Sequence, residues 1–202
     1  MSIAFTGAIL TGGSSSRMGR DKSLLLIDGR PMVSIVATAL HDACASEVIA
    51  IGGDNVGLEA IAEIDRFVID LHPGEGPLGG ILSALEASSD DVVVVLACDT
   101  PAITADTPRL LVRALESDPT LACTYAFANG REQPLTAAWR RDLAAEPIRR
   151  AFDKGERAPR SLLHTLSSRA VTEIDASSVL DVDRPEDLRR YAHQEPTRSD
   201  GP

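Results

Sequence analysis

The chain has 202 residues, and 20 Lys and Arg against 30 Asp and Glu give a formal net charge of −10. This length suits one domain with a full core, and 44% hydrophobic with 25% charged residues is typical of a folded globular chain. No apolar run reaches the roughly 18 residues of a membrane helix, and residues 1–10 lack the basic start of a secretion signal. The acidic balance disfavours a nucleic-acid surface. The sequence therefore predicts a soluble, cytoplasmic protein that binds neither membranes nor nucleic acid.

Cysteine and histidine spacing excludes two further classes. Cys44, Cys98 and Cys123 are odd in number, widely spaced and without a C-x-x-C pair, so neither a disulfide framework nor a zinc site is predicted. The four histidines are scattered, and no two of them stand at i, i+4. Only two of the 20 basic residues are lysines, Lys22 and Lys154.

Apolar runs alternate with helix-like stretches along most of the chain. In chain order the pattern predicts a strand at 4–10, a helix at 31–43, strands at 47–51 and 66–71, a helix at 77–87, a strand at 92–98, a helix at 106–117, strands at 121–127 and 135–139, helices at 142–152 and 161–166, a strand at 170–174 and a helix at 185–192. This alternation predicts a three-layer α/β fold with a mostly parallel sheet. We expect a single domain over 1–192 and a frayed tail over 193–202.

A glycine- and serine-rich stretch follows the first predicted strand, where ligands of parallel sheets bind. Residues 10–22 read L-T-G-G-S-S-S-R-M-G-R-D-K, with three cations at Arg17, Arg20 and Lys22. Glycines let backbone N–H groups approach a polyphosphate closely, and the cations supply positive charge. The stretch therefore favours phosphate binding, and the alternative is a plain turn with solvated arginines.

Two well-known phosphate loops do not match this stretch. A G-x-x-x-x-G-K-[ST] loop requires Lys directly after the second Gly, but Arg20 and Asp21 separate Gly19 from Lys22. The G-x-G-x-x-G fingerprint is also absent, because three serines follow Gly12-Gly13. A dinucleotide-dependent oxidoreductase is therefore disfavoured.

The stretch instead resembles the signature loop of the molybdenum cofactor guanylyltransferases, L-x-G-G-x-S-x-R-M-G-x-D-K, within the nucleotidyltransferase superfamily. The departure is Thr11, where the family usually has Ala. Further similarity lies at 76–80 (G-P-L-G-G), 98–101 (C-D-T-P), 134–137 (P-L-T-A), 155–157 (G-E-R) and 183–187 (D-R-P-E-D). The resemblance extends to about Tyr191 and implies a Rossmann-like nucleotidyltransferase fold. It implies catalytic roles for Arg17, Lys22 and Asp99, and nucleotide contacts from Leu10, Thr11, Gly12, Gly13, Lys22, Asp70, Gly76, Pro77, Leu78, Gly79 and Asp99.

Aspartates after two apolar stretches are the candidate metal ligands. Asp99 ends the most apolar predicted strand, where a carboxylate suits Mg²⁺, and the resemblance also gives it this role. The alternative is a turn-forming Asp-Thr-Pro. Asp181 and Asp183 flank Val182, and alternation along an extended segment points both carboxylates to one side. The family usually has N-x-N where this chain has D-V-D, and a carboxylate is a stronger metal ligand than an amide. Asp181 is therefore interpreted as a metal ligand, while Asp183 is either a ligand or a charge at a helix start.

Three other positions bear on ligand binding. The family's usual Asn after the second strand is missing, and Gly52 or Gly53 stands there. Arg157, in the G-E-R motif, is expected by resemblance to meet the acceptor's phosphate, whereas the other basic residues of 149–160 read as a solvated helix face. Trp139 is either a stacking surface for a pterin or a core residue.

The resemblance implies a reaction. GMP passes from GTP to the terminal phosphate of molybdenum-loaded molybdopterin, with Mg²⁺ as cofactor, and pyrophosphate leaves. The partners are then GTP and molybdopterin, with molybdoenzymes or their chaperones downstream. Three alternatives stay open: a cytidylyltransferase that uses CTP with the same pterin, a sugar-1-phosphate nucleotidyltransferase, and a catalytically idle nucleotide-binding protein.

Overall fold

Strands and helices alternate through residues 3–12 and 22–182, which are the residues that the structure, a computed structural model, describes. The strands are β1 (Thr6–Leu10), β2 (Leu26–Ile27), β3 (Arg30–Pro31), β4 (Glu47–Ile51), β5 (Arg66–Val68), β6 (Val92–Ala97), β7 (Cys123–Ala128), β8 (Arg131–Arg140) and β9 (Ser168–Val171). The helices are α1 (Met32–Asp42), α2 (Asn55–Glu59), α3 (Pro77–Ala87), α4 (Asp106–Glu116), α5 (Arg141–Asp153) and α6 (Arg160–Leu163), and a short 3-10 helix lies at Lys22–Leu24.

Seven of the strands form one sheet in the order β5-β4-β1-β6-β8-β7-β9, and β2 pairs with β3 as a separate hairpin. Strands β5, β4, β1 and β6 are parallel neighbours, and β7 is parallel to β9. Strand β8 runs antiparallel to both β6 and β7. The predicted mostly parallel α/β sheet is confirmed.

Helices cover both faces of the sheet, because its central strands are apolar on both sides. Along β6, Val92, Val94 and Leu96 pack into a cluster with residues of α1 and α4, while Val93 and Val95 pack into a second cluster with residues of α3 and α5. All five side chains are fully buried, and each burial is worth about 1.5–3 kcal/mol. This alternation produces the three layers that the sequence predicts.

Most predicted elements are present, with small differences at their ends. The strand at 47–51 and the helix at 77–87 have the predicted bounds, and the strand predicted at 135–139 extends over all of β8. The prediction omits α2 and the β2–β3 hairpin. The turn of that hairpin is Asp28-Gly29, with φ of 49° and 80°, and Asp-Gly between two short extended segments is a known hairpin signal. The helix predicted at 185–192 lies outside the described residues.

The structure also bears on the predictions for Trp139 and for membrane-spanning helices. Trp139 is fully buried within β8, so its interpretation as a core residue is confirmed and a pterin-stacking role is wrong. None of the helices in residues 3–12 and 22–182 is long and apolar enough to cross a membrane. The single domain over 1–192 and the tail over 193–202 stay predictions, since the description ends at residue 182.

Candidate functional site

The carboxyl ends of four parallel strands meet at one edge of the sheet. Leu10 at the end of β1 is level with Ile51 of β4 and with Ala97 of β6, and Ile51 is level with Val68 of β5. The residues that follow these strands therefore lie along one edge: 11–12, 52–53, 69–70 and 98–99. Ligands of open α/β sheets bind at this edge.

Lys22 and Asp99 form an ion pair at this edge. Lys22 Nζ donates to Asp99 Oδ2 over 2.9 Å, and the two side chains are 15% and 25% exposed. Lys22 is the first residue of the short 3-10 helix that packs against α1. Asp99 follows the end of β6 after one residue, Cys98. The predicted phosphate-binding cation and the predicted metal carboxylate are therefore brought together.

Asp181 directly precedes Val182, whose main chain is hydrogen-bonded to the main chain of Asp99. The N–H of Val182 donates to the main-chain oxygen of Asp99 over 2.8 Å, and Asp181 is exposed. Among residues 3–12 and 22–182, no group of three or more His, Cys, Asp and Glu side chains is arranged to hold a metal ion. Mg²⁺ is commonly held by one or two carboxylates together with substrate phosphates, so the metal-binding role of Asp99 and Asp181 stays a prediction. Asp183 lies outside the described residues.

The glycines after β1 and β4 allow a close approach of two backbones. Gly52 has a φ of +71°, and a Cβ placed on it would lie 3.3 Å from Gly12 Cα and 3.2 Å from Asp70 Cβ. The Thr11 hydroxyl lies 2.6 Å from the Gly52 oxygen and 3.0 Å from that of Ile51. Thr11, which replaces the family's usual Ala, thus ties the end of β1 to the end of β4.

Asp70 is held by two hydrogen bonds beside these glycines. Its Oδ1 accepts the N–H of His72 at 3.0 Å and the hydroxyl of Ser83 at 3.0 Å. Ser83 lies in α3, is 1% exposed, and also accepts the N–H of Leu71. The sequence does not indicate Ser83, since a single serine in an apolar helix carries no motif, and its role becomes visible through its contact with Asp70.

The G-P-L-G-G segment forms the start of α3 and packs next to β1. A Cβ on Gly80 would lie 3.2 Å from Leu10 Cδ2, and one on Gly79 would lie 2.7 Å from His72 Cβ. Pro77 occupies the first turn of the helix, where its missing N–H is tolerated. The start of α3 therefore lies beside the carboxyl end of β1. This brings together five of the predicted nucleotide contacts: Leu10, Gly76, Pro77, Leu78 and Gly79.

Arg157 lies against the start of α3. Its main-chain oxygen accepts the N–H of Leu78 at 3.2 Å, and its guanidinium donates to Glu75 Oε2 at 2.7 Å. Its predicted contact with the acceptor's phosphate stays a prediction. Arg17 and Gly13, the other predicted site residues, lie outside the described residues.

The chain is similar to known proteins over most of its length. Residues 7–171 match the family model described as "MobA-like NTP transferase domain". The chain belongs to this family. It is 32% identical to the "Probable molybdenum cofactor guanylyltransferase" of Chloroflexus aggregans, with 93% of each chain covered. It is also 32% identical to the "Molybdenum cofactor guanylyltransferase" of Xanthomonas euvesicatoria, with 95% of this chain and 96% of the relative covered. This MobA-like chain is therefore a nucleotidyltransferase, as the sequence resemblance implies.

Solved structures show the same fold. The "Molybdopterin-guanine dinucleotide biosynthesis protein A" of Archaeoglobus fulgidus has a TM-score of 0.73 at 24% identity, and covers 92% of this chain and 95% of its own. The "2-C-methyl-D-erythritol 4-phosphate cytidylyltransferase" of Thermus thermophilus has a TM-score of 0.69 at 17% identity, and covers 95% and 98%. At these identities the likeness establishes the nucleotidyltransferase fold of this MobA-like chain.

Proposed function

We propose that this protein transfers GMP from GTP to the terminal phosphate of molybdenum-loaded molybdopterin, forming molybdopterin guanine dinucleotide and releasing pyrophosphate. The observation that carries the proposal is the 2.9 Å contact between Lys22 Nζ and Asp99 Oδ2 at the carboxyl edge of the sheet. A phosphate-binding cation beside a metal-binding carboxylate is the pairing that nucleotidyl transfer needs. The guanylyltransferases among the relatives, 32% identical over nearly the whole chain, support this substrate pair.

The nucleotide is proposed to lie over β1, β4 and β5. On this side, Leu10 ends β1 and is followed by Thr11 and Gly12. Asp70 is held by Ser83, and Gly76 lies directly before the first residues of α3. Gly76 and Pro77 at the start of α3 are exposed, and Gly79 and Gly80 let this helix pack closely against His72 and Leu10. We assign the base and ribose to these residues, and the triphosphate to Lys22 together with Gly13 and Arg17.

Catalysis in this proposal depends on position and charge rather than on a general base. A phosphate monoester has a second pKa near ~6, so the attacking phosphate of the acceptor is mostly dianionic at pH 7. Lys22 and Arg17 would bind the triphosphate and align its α-phosphorus with that nucleophile. Mg²⁺, held by Asp99 and Asp181, would stabilise the negative charge that develops on the leaving pyrophosphate.

The acceptor is proposed to approach from the β8 side of Asp99. Thr136 of β8 is level with Leu96 of β6, so the earlier residues of β8 extend past the carboxyl end of β6. A shallow cavity of about 370 Å³ lies at this extension, lined by Phe127, Gly130, Arg131, Glu132 and Arg160. Arg131 and the Phe127 ring suit a phosphorylated heterocycle, while Arg160 is paired with Glu132 over 3.4 Å.

A pyrophosphate-release assay with GTP, CTP and other nucleotides, each with the molybdenum-loaded pterin and Mg²⁺, tests the proposal. GTP is expected to give the highest kcat/KM. A clear preference for CTP would instead establish the cytidylyltransferase alternative. Tight Mg²⁺–GTP binding without pyrophosphate release would support an idle nucleotide-binding protein. Removal of Mg²⁺ with a chelator is expected to abolish turnover, and adding Mg²⁺ back is expected to restore it.

Location and partners follow from the same proposal. A guanylyltransferase of this kind would act in the cytoplasm, where GTP is available, and would pass its product to molybdoenzymes or their chaperones. Copurification of the finished dinucleotide with such a partner would test this step.

A further inference from the structure

The G-E-R motif at 155–157 forms a tight turn after α5. Gly155 has a φ of +94°, and its N–H donates to the Phe152 oxygen at 2.9 Å. Glu156 Oε1 accepts the N–H groups of Arg157 at 2.9 Å and Ala158 at 3.0 Å. These bonds fix the direction in which the main chain and side chain of Arg157 leave the turn.

The main chain of Arg157 contacts the first turn of α3. Its oxygen accepts the N–H of Leu78, one of the helix N–H groups that have no partner within the helix. A Cβ on Gly76 would lie 3.1 Å from this oxygen, and the Gly76 φ of +87° also favours glycine. The position of Gly76 and Leu78 is therefore set by Arg157.

The guanidinium of Arg157 is engaged on several sides at once. Nη1 donates to the main-chain oxygens of Phe152 at 2.7 Å and Glu156 at 2.9 Å, and Nη2 donates to Glu75 Oε2 at 2.7 Å. The guanidinium carbon lies 4.0 Å from the centroid of the Phe152 ring, a cation–π distance. This set of contacts uses the planar fork of arginine, which a lysine cannot reproduce.

The contacts continue from Arg157 to Asp70 through the β5–α3 loop (residues 69–76). The Phe152 ring, under the guanidinium, packs against the His72 ring with centroids 4.4 Å apart. The N–H of His72 in turn donates to Asp70 Oδ1. Arg157 thus holds the loop at two points between Asp70 and Gly76, directly at Glu75 and through Phe152 at His72.

We propose that Arg157 is a positioning residue that holds the β5–α3 loop in the shape that binds the nucleotide. The proposal rests on the proposed function, because Asp70 and Gly76 to Gly79 are nucleotide contacts only under it. A role in binding the acceptor's phosphate makes a different prediction: it affects the acceptor alone. In the positioning role, loss of Arg157 weakens GTP binding even when no acceptor is present.

Equilibrium binding of Mg²⁺–GTP without acceptor, measured by calorimetry, separates the two roles. Arg157→Lys keeps the charge but loses the fork, and Glu75→Ala keeps Arg157 while removing its partner on the loop. Each is expected to weaken GTP binding by about 5- to 30-fold. The control is Arg150→Ala, which removes a 72% exposed arginine that pairs with Glu146 on α5, and it is expected to leave GTP binding unchanged. Unchanged GTP affinity in Arg157→Lys, together with a raised KM for the acceptor, would overturn the proposal.

Hydrogen exchange provides a readout that does not depend on the nucleotide. In Arg157→Lys the amides of His72 and Leu78 are expected to exchange faster than in the wild-type protein, while amides of β6 keep their protection. Unchanged exchange at both amides would overturn the positioning role. If the wild-type protein bound no nucleotide while Arg157→Lys still loosened these amides, the proposed function would fail and the structural role of Arg157 would stand.

Discussion

Lys22 and Asp99 are 77 positions apart in the sequence, yet Lys22 Nζ lies 2.9 Å from Asp99 Oδ2. The contact joins the end of the glycine-rich stretch to the end of the central strand β6. Both side chains are mostly buried, and they lie at the edge where the strand ends converge. This edge therefore has opposite charges side by side, which suits a triphosphate that arrives with a divalent cation.

Loss of either charge of this pair is expected to abolish most of the activity. Lys22→Met and Asp99→Asn keep side-chain size but remove a charge that acts on the reacting phosphates. Each is expected to lower kcat for pyrophosphate release by about 10²–10³-fold, the typical effect of removing one stabilising group. Circular dichroism and Tm would show that the fold is retained. Turnover like that of the wild-type protein in Asp99→Asn would contradict the metal assignment.

A second ion pair offers a matched control. Arg66 Nε lies 2.7 Å from Glu47 Oε1, and these residues begin β5 and β4 at the opposite edge of the sheet. Arg66→Met is expected to change stability by at most about 1 kcal/mol, as for other exposed pairs. It should leave kcat unchanged, so a large fall in kcat would mean that the loss in Lys22→Met is not specific to the site.

The sequence was sufficient to predict the sheet edge but not the contacts made there. An apolar run closed by Gly52-Gly53 predicted β4, and a helix-like stretch over 77–87 predicted α3, both with their observed bounds. The rule for parallel sheets then predicted the edge. The contacts of Ser83 and Arg157 depend on side chains that meet only after packing, and no local pattern indicates such partners. The Asp28-Gly29 turn is different, since its signal is present in the sequence and was missed.

Thr11→Ala restores the residue that is usual in the family and removes a buried hydroxyl. The Gly52 oxygen, 2.6 Å from this hydroxyl, would lose a donor. We expect a loss of about 1 kcal/mol in the free energy of unfolding and a fall in Tm of about 2–4 °C, with kcat little changed. Thr11→Ser keeps the hydroxyl and should retain most of the stability. An equal loss in both variants would show that the methyl group, not the hydrogen bond, stabilises this junction.

Gly52→Ala is expected to affect both stability and nucleotide binding. A side chain at a φ of +71° is strained by roughly 1–2 kcal/mol. The added Cβ would also press on Asp70 Cβ at 3.2 Å and so raise KM for GTP. Gly74→Ala is the control, because Gly74 has a similar φ of +77° but nothing within 4 Å of its added Cβ. Steady-state kinetics and thermal unfolding of both variants measure the difference, and an equal KM in the two would contradict a role for Gly52 in placing Asp70.

Acid is expected to loosen the turn that carries Arg157. The N–H of Ala158, the hydroxyl of Ser161 and the N–H of Arg157 hold the pKa of Glu156 below its ordinary value of 4.5. A lowered pKa in the folded state stabilises the protein above pH 4.5, and this stabilisation is lost as the pH falls through the lowered pKa. Glu156→Gln resembles the protonated side chain, so its Tm should lie below that of the wild-type protein at pH 7, with the gap closing as the pH falls below 4.5 through the lowered pKa. A gap that stays constant across this range would mean that the charge of Glu156 does not stabilise the turn.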